Sequence, residues 1–271
     1  MIAALTGLLG AAVGSFLNVV IFRVPQRRSV IAPRSACGSC GSAIRPWDNV
    51  PIVSWLVLRG RCRDCSAAIS LRYPLVELGT AVFFCGVAIW ALANFEPATL
   101  HDWLATITVL AAFLYLAAVS IALTAIDLET SLLPNVIVLP SYVVAAVLLT
   151  AAALIVGDPA RLLTAAAGGA ILFVAYLLMA LLYPGGMGLG DVKLAGVLGI
   201  YLGWLGWEEL AVGSFAAFLL GGLFSVILVV VRRAGRRTAI PFGPWMLVGA
   251  WVGIFAGAPV FSGYLALFGL Q

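Results

Sequence analysis

The sequence predicts an all-α polytopic membrane protein of about eight transmembrane helices, with a small cytoplasmic domain between the first two. Three observations predict it. The 271 residues are 63% hydrophobic and only 10% charged, with a mean hydropathy of +1.14, whereas soluble domains carry about 25% charged residues. The apolar residues fall in eight stretches, seven of them near the roughly 20 residues that a helix needs to cross a bilayer. The basic residues are segregated: nine of fifteen lie between Arg23 and Arg72, and four more form the run at Arg232, Arg233, Arg236 and Arg237. The net charge of +4 is therefore positive-inside bias, not a nucleic-acid footprint.

The first apolar stretch, 2–22, lacks a basic region before it and is followed by arginines, so it is expected to be a retained anchor and not a signal peptide. The others span 75–95, 103–126, 136–156, 162–183, 192–206, 209–231 and 246–269. The 192–206 stretch is too short to cross unaided, and is expected to be recessed, to thin the bilayer or to face protein. With eight crossings, the loops 23–74, 127–135, 184–191 and 232–245 share the arginine-rich side. Arg161 and the acids Glu96, Asp102, Asp158, Glu208 and Glu209 lie opposite. The arginine-rich side is expected to be cytoplasmic, with both termini outside. The chain divides into a first helix (1–22), a cytoplasmic domain (23–74) and a seven-helix membrane domain (75–271).

The cytoplasmic domain carries "CGSC" at Cys37 and Cys40, and "CRDC" at Cys62 and Cys65. Two CxxC pairs 21 residues apart suit a tetrahedral Zn²⁺ site, each tight turn presenting two thiolates. A pair of disulfides is the alternative, disfavoured in a reducing cytoplasm. So small a domain lacks a core, and the metal would supply its folding energy. Cys85 lies within a span and is expected to pack.

Four acids stand at the cytoplasmic boundary: Glu77, Asp127, Glu129 and Asp191. An ionisable group beside hydrocarbon is costly and marks a candidate site, although a helix-end acid such as Glu129 can equally be a cap. Asp191 follows Gly185, Gly186, Gly188 and Gly190, which permit close approach of a second chain. A helix then begins, and its dipole suits a carboxylate in the first turn. There is no HExxH, P-loop or dinucleotide fingerprint. The single histidine, His101, lies in an outer loop, which excludes a Ser-His-Asp system. Asp127 and Asp191 remain. Two carboxylates held together share a proton, giving one base to activate water and one acid for a leaving amine.

"GMGLGD" followed by "VKLAGVLGIYLGW" resembles the GxGD motif of the type IV prepilin leader peptidases, which are bacterial membrane aspartic proteases. The resemblance extends, in order, through "GSFLNVVIFRVP", "PWDNVPIVSWLVLRGRCRDCSAAISLRYPLVE", "AIDLETSLLPNVIVLP" and "IPFGPWMLVGAW". It implies that Asp127 and Asp191 are catalytic, with Gly188, Gly190 and Lys193 supporting the catalytic loop. It also implies that Cys37, Cys40, Cys62 and Cys65 bind zinc. The implied substrates are type IV prepilins and type II secretion pseudopilins, cut after a glycine at the cytoplasmic edge of the bacterial inner membrane. The pilus or secretion machinery is the implied partner. Many members then methylate the new amino terminus with S-adenosylmethionine, an activity tied to the cysteine domain, for which Asp48, Glu77 and Arg72 are candidates. A peptidase without methyl transfer, a proton-coupled transporter and a zinc-stabilised scaffold are the rival readings. The transporter needs acids near the midplane, and the scaffold leaves the two aspartates unexplained.

Overall fold

The computed structural model describes residues 1–183, 186–231 and 241–269. Gly185, Ile240 and the arginines 232, 233, 236 and 237 lie outside the described residues. Nine α-helices and one 3₁₀ turn (Pro46–Asn49) are present among them, with no strand beyond two isolated bridges. Helix α1 is Ile2–Arg23, and the short α2 is Val53–Val57. Then come α3 (Arg72–Phe95), α4 (Leu100–Thr130), α5 (Asn135–Val156), α6 (Ala160–Leu182), α7 (Leu189–Leu205), α8 (Trp207–Val230) and α9 (Gly243–Leu267). Seven of these are long and apolar enough to cross a membrane. The eighth expected span, α7, has 17 residues and does not reach that length.

Several boundaries differ from the sequence expectation. Helix α3 starts at Arg72 because Pro74 falls in its first turn, where its missing N–H costs nothing. The same tolerance at Pro244 starts α9 at Gly243. Helix α4 runs through Asp127 and Glu129 to Thr130, and ends where Ser131 turns left-handed with its N–H on the Asp127 carbonyl. The loop expected at 127–135 is thus only residues 131–134, and Asp127 is a helical residue. At the other end of α4, Thr99 and Asp102 cap reciprocally.

The chain forms two compact units, Met1–Glu96 with Phe113–Ile126, and Pro97–Ala112 with Asp127–Gln271. In the first, α1 packs on α3 through glycines. A Cβ on Gly10 would lie 2.7 Å from the Thr80 carbonyl, and one on Gly14 would lie 2.7 Å from the Glu77 Cα. Small residues let the two backbones approach where lipid provides no hydrophobic drive for association.

In the second unit, α7 packs against α5, α6, α8 and α9, and Val192, Leu194–Gly199 and Tyr201–Trp204 are all buried. The short apolar helix therefore faces protein. It is tied in by polar bonds: Trp204 Nε1 donates to the Leu149 carbonyl (3.1 Å), Tyr201 Oη to the Ala112 carbonyl (3.2 Å), and Tyr142 Oη to the Lys193 carbonyl (2.6 Å). Gly199 and Gly203 seat α7 on Gly168 of α6; a Cβ on Gly199 would strike the Gly168 carbonyl and lie 2.9 Å from the Gly169 Cα. Backbone cannot yield as a side chain does, so Gly199→Val is expected to destabilise the unit by about 1–3 kcal/mol. A thermal melt in detergent checks this, and an unchanged midpoint would show that the seam is loose.

Candidate active site and metal centre

The two aspartates come together at the ends of three helices of the second unit. Asp127 lies in the last turn of α4 and is 4% exposed. Its Oδ2 accepts the Gly243 N–H at 3.1 Å, and Gly243 is the first residue of α9. Asp191 is the third residue of α7, half-buried, and its Oδ2 accepts the Gly188 N–H at 3.1 Å. Asp191 thus stands in the first turn of α7, and Asp127, although in the last turn of α4, turns its carboxyl to the N-terminus of α9, where the dipole favours negative charge. Each also has one oxygen fixed by a backbone amide. The two carboxyls are close enough to interact electrostatically.

Glycine at 243 allows this contact, since a Cβ there would lie 2.7 Å from Asp127 Oδ2 and would displace the carboxyl. The Gly243 N–H is free to be presented because it opens the first turn of α9, where backbone N–H groups have no intrahelical acceptor. Behind it, Phe242 stacks on Phe218 (5.4 Å between centroids) and on the buried Tyr176 (6.3 Å), which props the turn. Lys193 does not reach either aspartate in a hydrogen bond. Its Nζ donates to Asn135 Oδ1 at 3.0 Å and so braces α7 against the start of α5. Gly188 supplies the amide on Asp191, and Gly190 lets Leu133 approach: a Cβ on Gly190 would lie 3.0 Å from Leu133 Cβ. Glu129, two residues after Asp127, is exposed.

In the first unit the four cysteines gather. Cys37, Cys40, Cys62 and Cys65 place their sulfurs within 4.8 Å of one another, and none is disulfide-bonded. The two knuckles share one backbone pattern. Cys37 N–H donates to the Ser42 carbonyl (2.9 Å) and Cys62 N–H to the Ala67 carbonyl (2.8 Å). The residue after each second cysteine, Gly41 or Ser66, is left-handed, with φ of 73° and 60°. Backbone amides of Cys40 and Ser39 directed at the Cys37 sulfur lower its thiol pKa to about 6, which favours the thiolate that a metal needs. This donor set fits a structural zinc ion. Between Val24 and Leu71 only Ser54 and Gly60 are buried, so the domain has no apolar core to fold around.

The remaining candidates separate. Asp48 is bound by Arg63 through two parallel hydrogen bonds (2.9 Å to Oδ2 and 2.5 Å to Oδ1). That pairing holds its carboxyl below the usual range and braces the 3₁₀ turn against the second knuckle. Arg72 lies 5.7 Å from the centre of the Tyr73 ring. Glu77, 8% exposed, accepts the Ile52 N–H at 2.6 Å. Ile52 has φ 63° and ψ −52°, and the Val53 N–H reaches the Pro51 carbonyl at 2.6 Å. That is a strained γ-turn tethered to α3. Nearby on α1, Asn18 is 3% exposed; its Nδ2 donates to the Tyr73 carbonyl at 3.1 Å, and its buried Oδ1 has no protein partner.

Sequence reasoning missed Gly243, Leu133 and Asn18. The first two stand in motifs that it quoted, "IPFGPW" and "SLLPN", but nothing in those motifs says which aspartate they meet. Asn18 was visible as the one side-chain amide in the first helix, whose other polar residues are Thr6, Ser15 and Arg23.

Two family models match the chain: the bacterial peptidase A24 N-terminal domain over residues 8–91, and the type IV leader peptidase family over residues 114–226. Among curated proteins, the chain is similar to the prepilin leader peptidase/N-methyltransferase of Pseudomonas aeruginosa, with 34% identity over 290 residues, covering 98% of this chain and 94% of the relative. The protein of that name from Aeromonas hydrophila is 35% identical over 291 residues, with 98% and 94% covered. That of Burkholderia pseudomallei is 34% identical over 279 residues, with 93% and 85% covered. No solved structure matches.

Proposed function

The chain belongs to the type IV leader peptidase family, and we propose that it is a membrane aspartic endopeptidase that removes prepilin and pseudopilin leaders and then N-methylates the product. The observation that carries the peptidase is the approach of Asp127 and Asp191 at two helix N-termini, each with one oxygen fixed by a glycine amide. The pair holds one proton. The ionised carboxylate takes a proton from water as the water oxygen bonds to the scissile carbonyl carbon. The carboxylic acid gives its proton to the amide nitrogen as the C–N bond breaks, so the pair ends with one proton again. The helix dipoles stabilise the single negative charge that remains throughout.

The arginine distribution supports a bacterial inner-membrane location with this site at the cytoplasmic face, where a prepilin presents its leader. Residues 23–74 form the cysteine domain, with 75–271 as the peptidase domain. Cys37, Cys40, Cys62 and Cys65 hold one structural zinc ion. For methyl transfer, S-adenosylmethionine supplies an electrophilic methyl group. The unpartnered Asn18 Oδ1 of α1 and the buried Glu77 carboxyl of α3 are both acceptors in the α1–α3 unit, and such acceptors suit an ammonium such as that of its methionine moiety. Asp48 and Arg72 remain candidates, with Asp48 acting through its pairing to Arg63.

The test is cleavage of a prepilin peptide by the purified protein in detergent, read by gel shift, followed by transfer of a tritiated methyl group to mature pilin. No cleavage would overturn the peptidase reading; cleavage without methylation would make the protein a peptidase only. The two chemistries need different groups, since methyl transfer to an amine requires orientation rather than a water-activating pair. Asp191→Asn is therefore expected to methylate a pre-cleaved pilin at close to the wild-type rate. Glu77→Gln, which keeps an acceptor for Ile52, is expected to impair methylation more than cleavage. Methylation lost in a folded Asp191→Asn protein would show that the sites are not independent.

A further inference from the structure

Leu133 lies in the short connection between α4 and α5, two residues after the left-handed Ser131. It precedes Pro134, which confines its backbone to extended conformations. The Asn135 side chain is held by Lys193. The loop is thus fixed on both sides, and the leucine side chain is carried to one place. There it touches both arms of the site. Its Cβ lies 3.0 Å from where a Cβ on Gly190 would sit, directly before Asp191. Its Cδ2 lies 3.2 Å from where a Cβ on Gly243 would sit, and the Gly243 amide holds Asp127. Gly190 and Gly243 both leave room for this side chain, since a Cβ at either would press on it. Leu133 itself is only half-buried, so part of its side chain remains accessible beside the two arms it touches.

We propose that Leu133 sets the specificity of the cleavage, by occupying the volume that a side chain would need on the substrate residue whose carbonyl is attacked. A peptide laid between the two carboxyls must bring its scissile carbonyl against this leucine, and glycine alone presents no Cβ to it. The inference rests on the two-carboxylate reading above and names the residue that selects its substrate. It also gives Lys193 a function, that of a positioning residue which keeps the Leu133 loop in place.

The experiment measures kcat/KM in detergent for three prepilin peptides that differ only in having glycine, alanine or valine before the scissile bond. The wild-type protein should prefer glycine to alanine by tenfold or more, the discrimination that a hydrophobic wall achieves against one added methyl. Leu133→Ala should reduce that ratio by about tenfold. Leu133→Val, which keeps an apolar side chain over the same backbone, should give an intermediate value. A leucine that merely packs the loop would lower turnover of all three peptides together. An unchanged ratio in variants that still cleave overturns the inference alone, as does a wild-type protein indifferent to the added methyl. Failure of the wild-type protein on the glycine peptide would overturn the peptidase reading and this inference with it.

Discussion

Asp127→Asn and Asp191→Asn are each expected to reduce leader cleavage by at least about 10³-fold, the scale of a lost acid–base group, while the protein still folds and inserts. The isosteric amide keeps an oxygen for the Gly243 or Gly188 N–H, so neither turn loses its tether. What disappears is the shared proton, because an amide can neither take one from water nor give one to the leaving nitrogen. In the proposed mechanism the two residues act as a unit. The double variant should therefore lose little more than either single one, a non-additivity expected of groups serving one step. Purified variants assayed beside the wild type, with melting curves to establish folding, decide the matter. Substantial turnover by either single variant would sink the aspartic mechanism.

Cys37→Ser is expected to have the largest structural effect. The purified wild-type protein should contain one zinc per chain by elemental analysis, and the variant none. With only Ser54 and Gly60 buried between Val24 and Leu71, the domain has no alternative source of folding energy. Structural zinc supplies roughly 10–16 kcal/mol in comparable small domains. Loss of the ion should thus release the segment to proteolysis and abolish methyl transfer. Cleavage should persist, because Asp127, Asp191 and their glycine tethers all belong to the other compact unit. Chelation of the wild-type protein should reproduce the pattern. A metal-free protein without titratable thiols would point instead to disulfides.

The parts legible in the sequence were those that depend on local composition and spacing. Eight apolar stretches appear as eight helices, within three or four residues at most boundaries. The misses at α3 and α9 come from prolines that the first helical turn tolerates. The miss at α4 arose because the polar run from Asp127 to Thr130 looks like an exit, although nothing in it breaks a helix. Two CxxC pairs imply their own turns, so the cysteine cluster could be read before any fold was known. Asp127 and Asp191 stood out because only four acids, Glu77, Asp127, Glu129 and Asp191, border the apolar stretches on the arginine-rich side.

Only the tertiary structure decided what holds those aspartates. The Gly243 amide on Asp127 joins residues 116 apart, and Leu133 reaches Gly190 and Gly243 together. With 29 glycines in the chain, the sequence does not say which of them meet. Close approach is a property of two backbones at once, and neither backbone encodes it alone. The same holds for α7, whose 17 residues fall short of a bilayer. Length and hydropathy allowed it to be recessed, to thin the membrane or to face protein; the surrounding helices and the buried bonds from Trp204 and Tyr201 select the last.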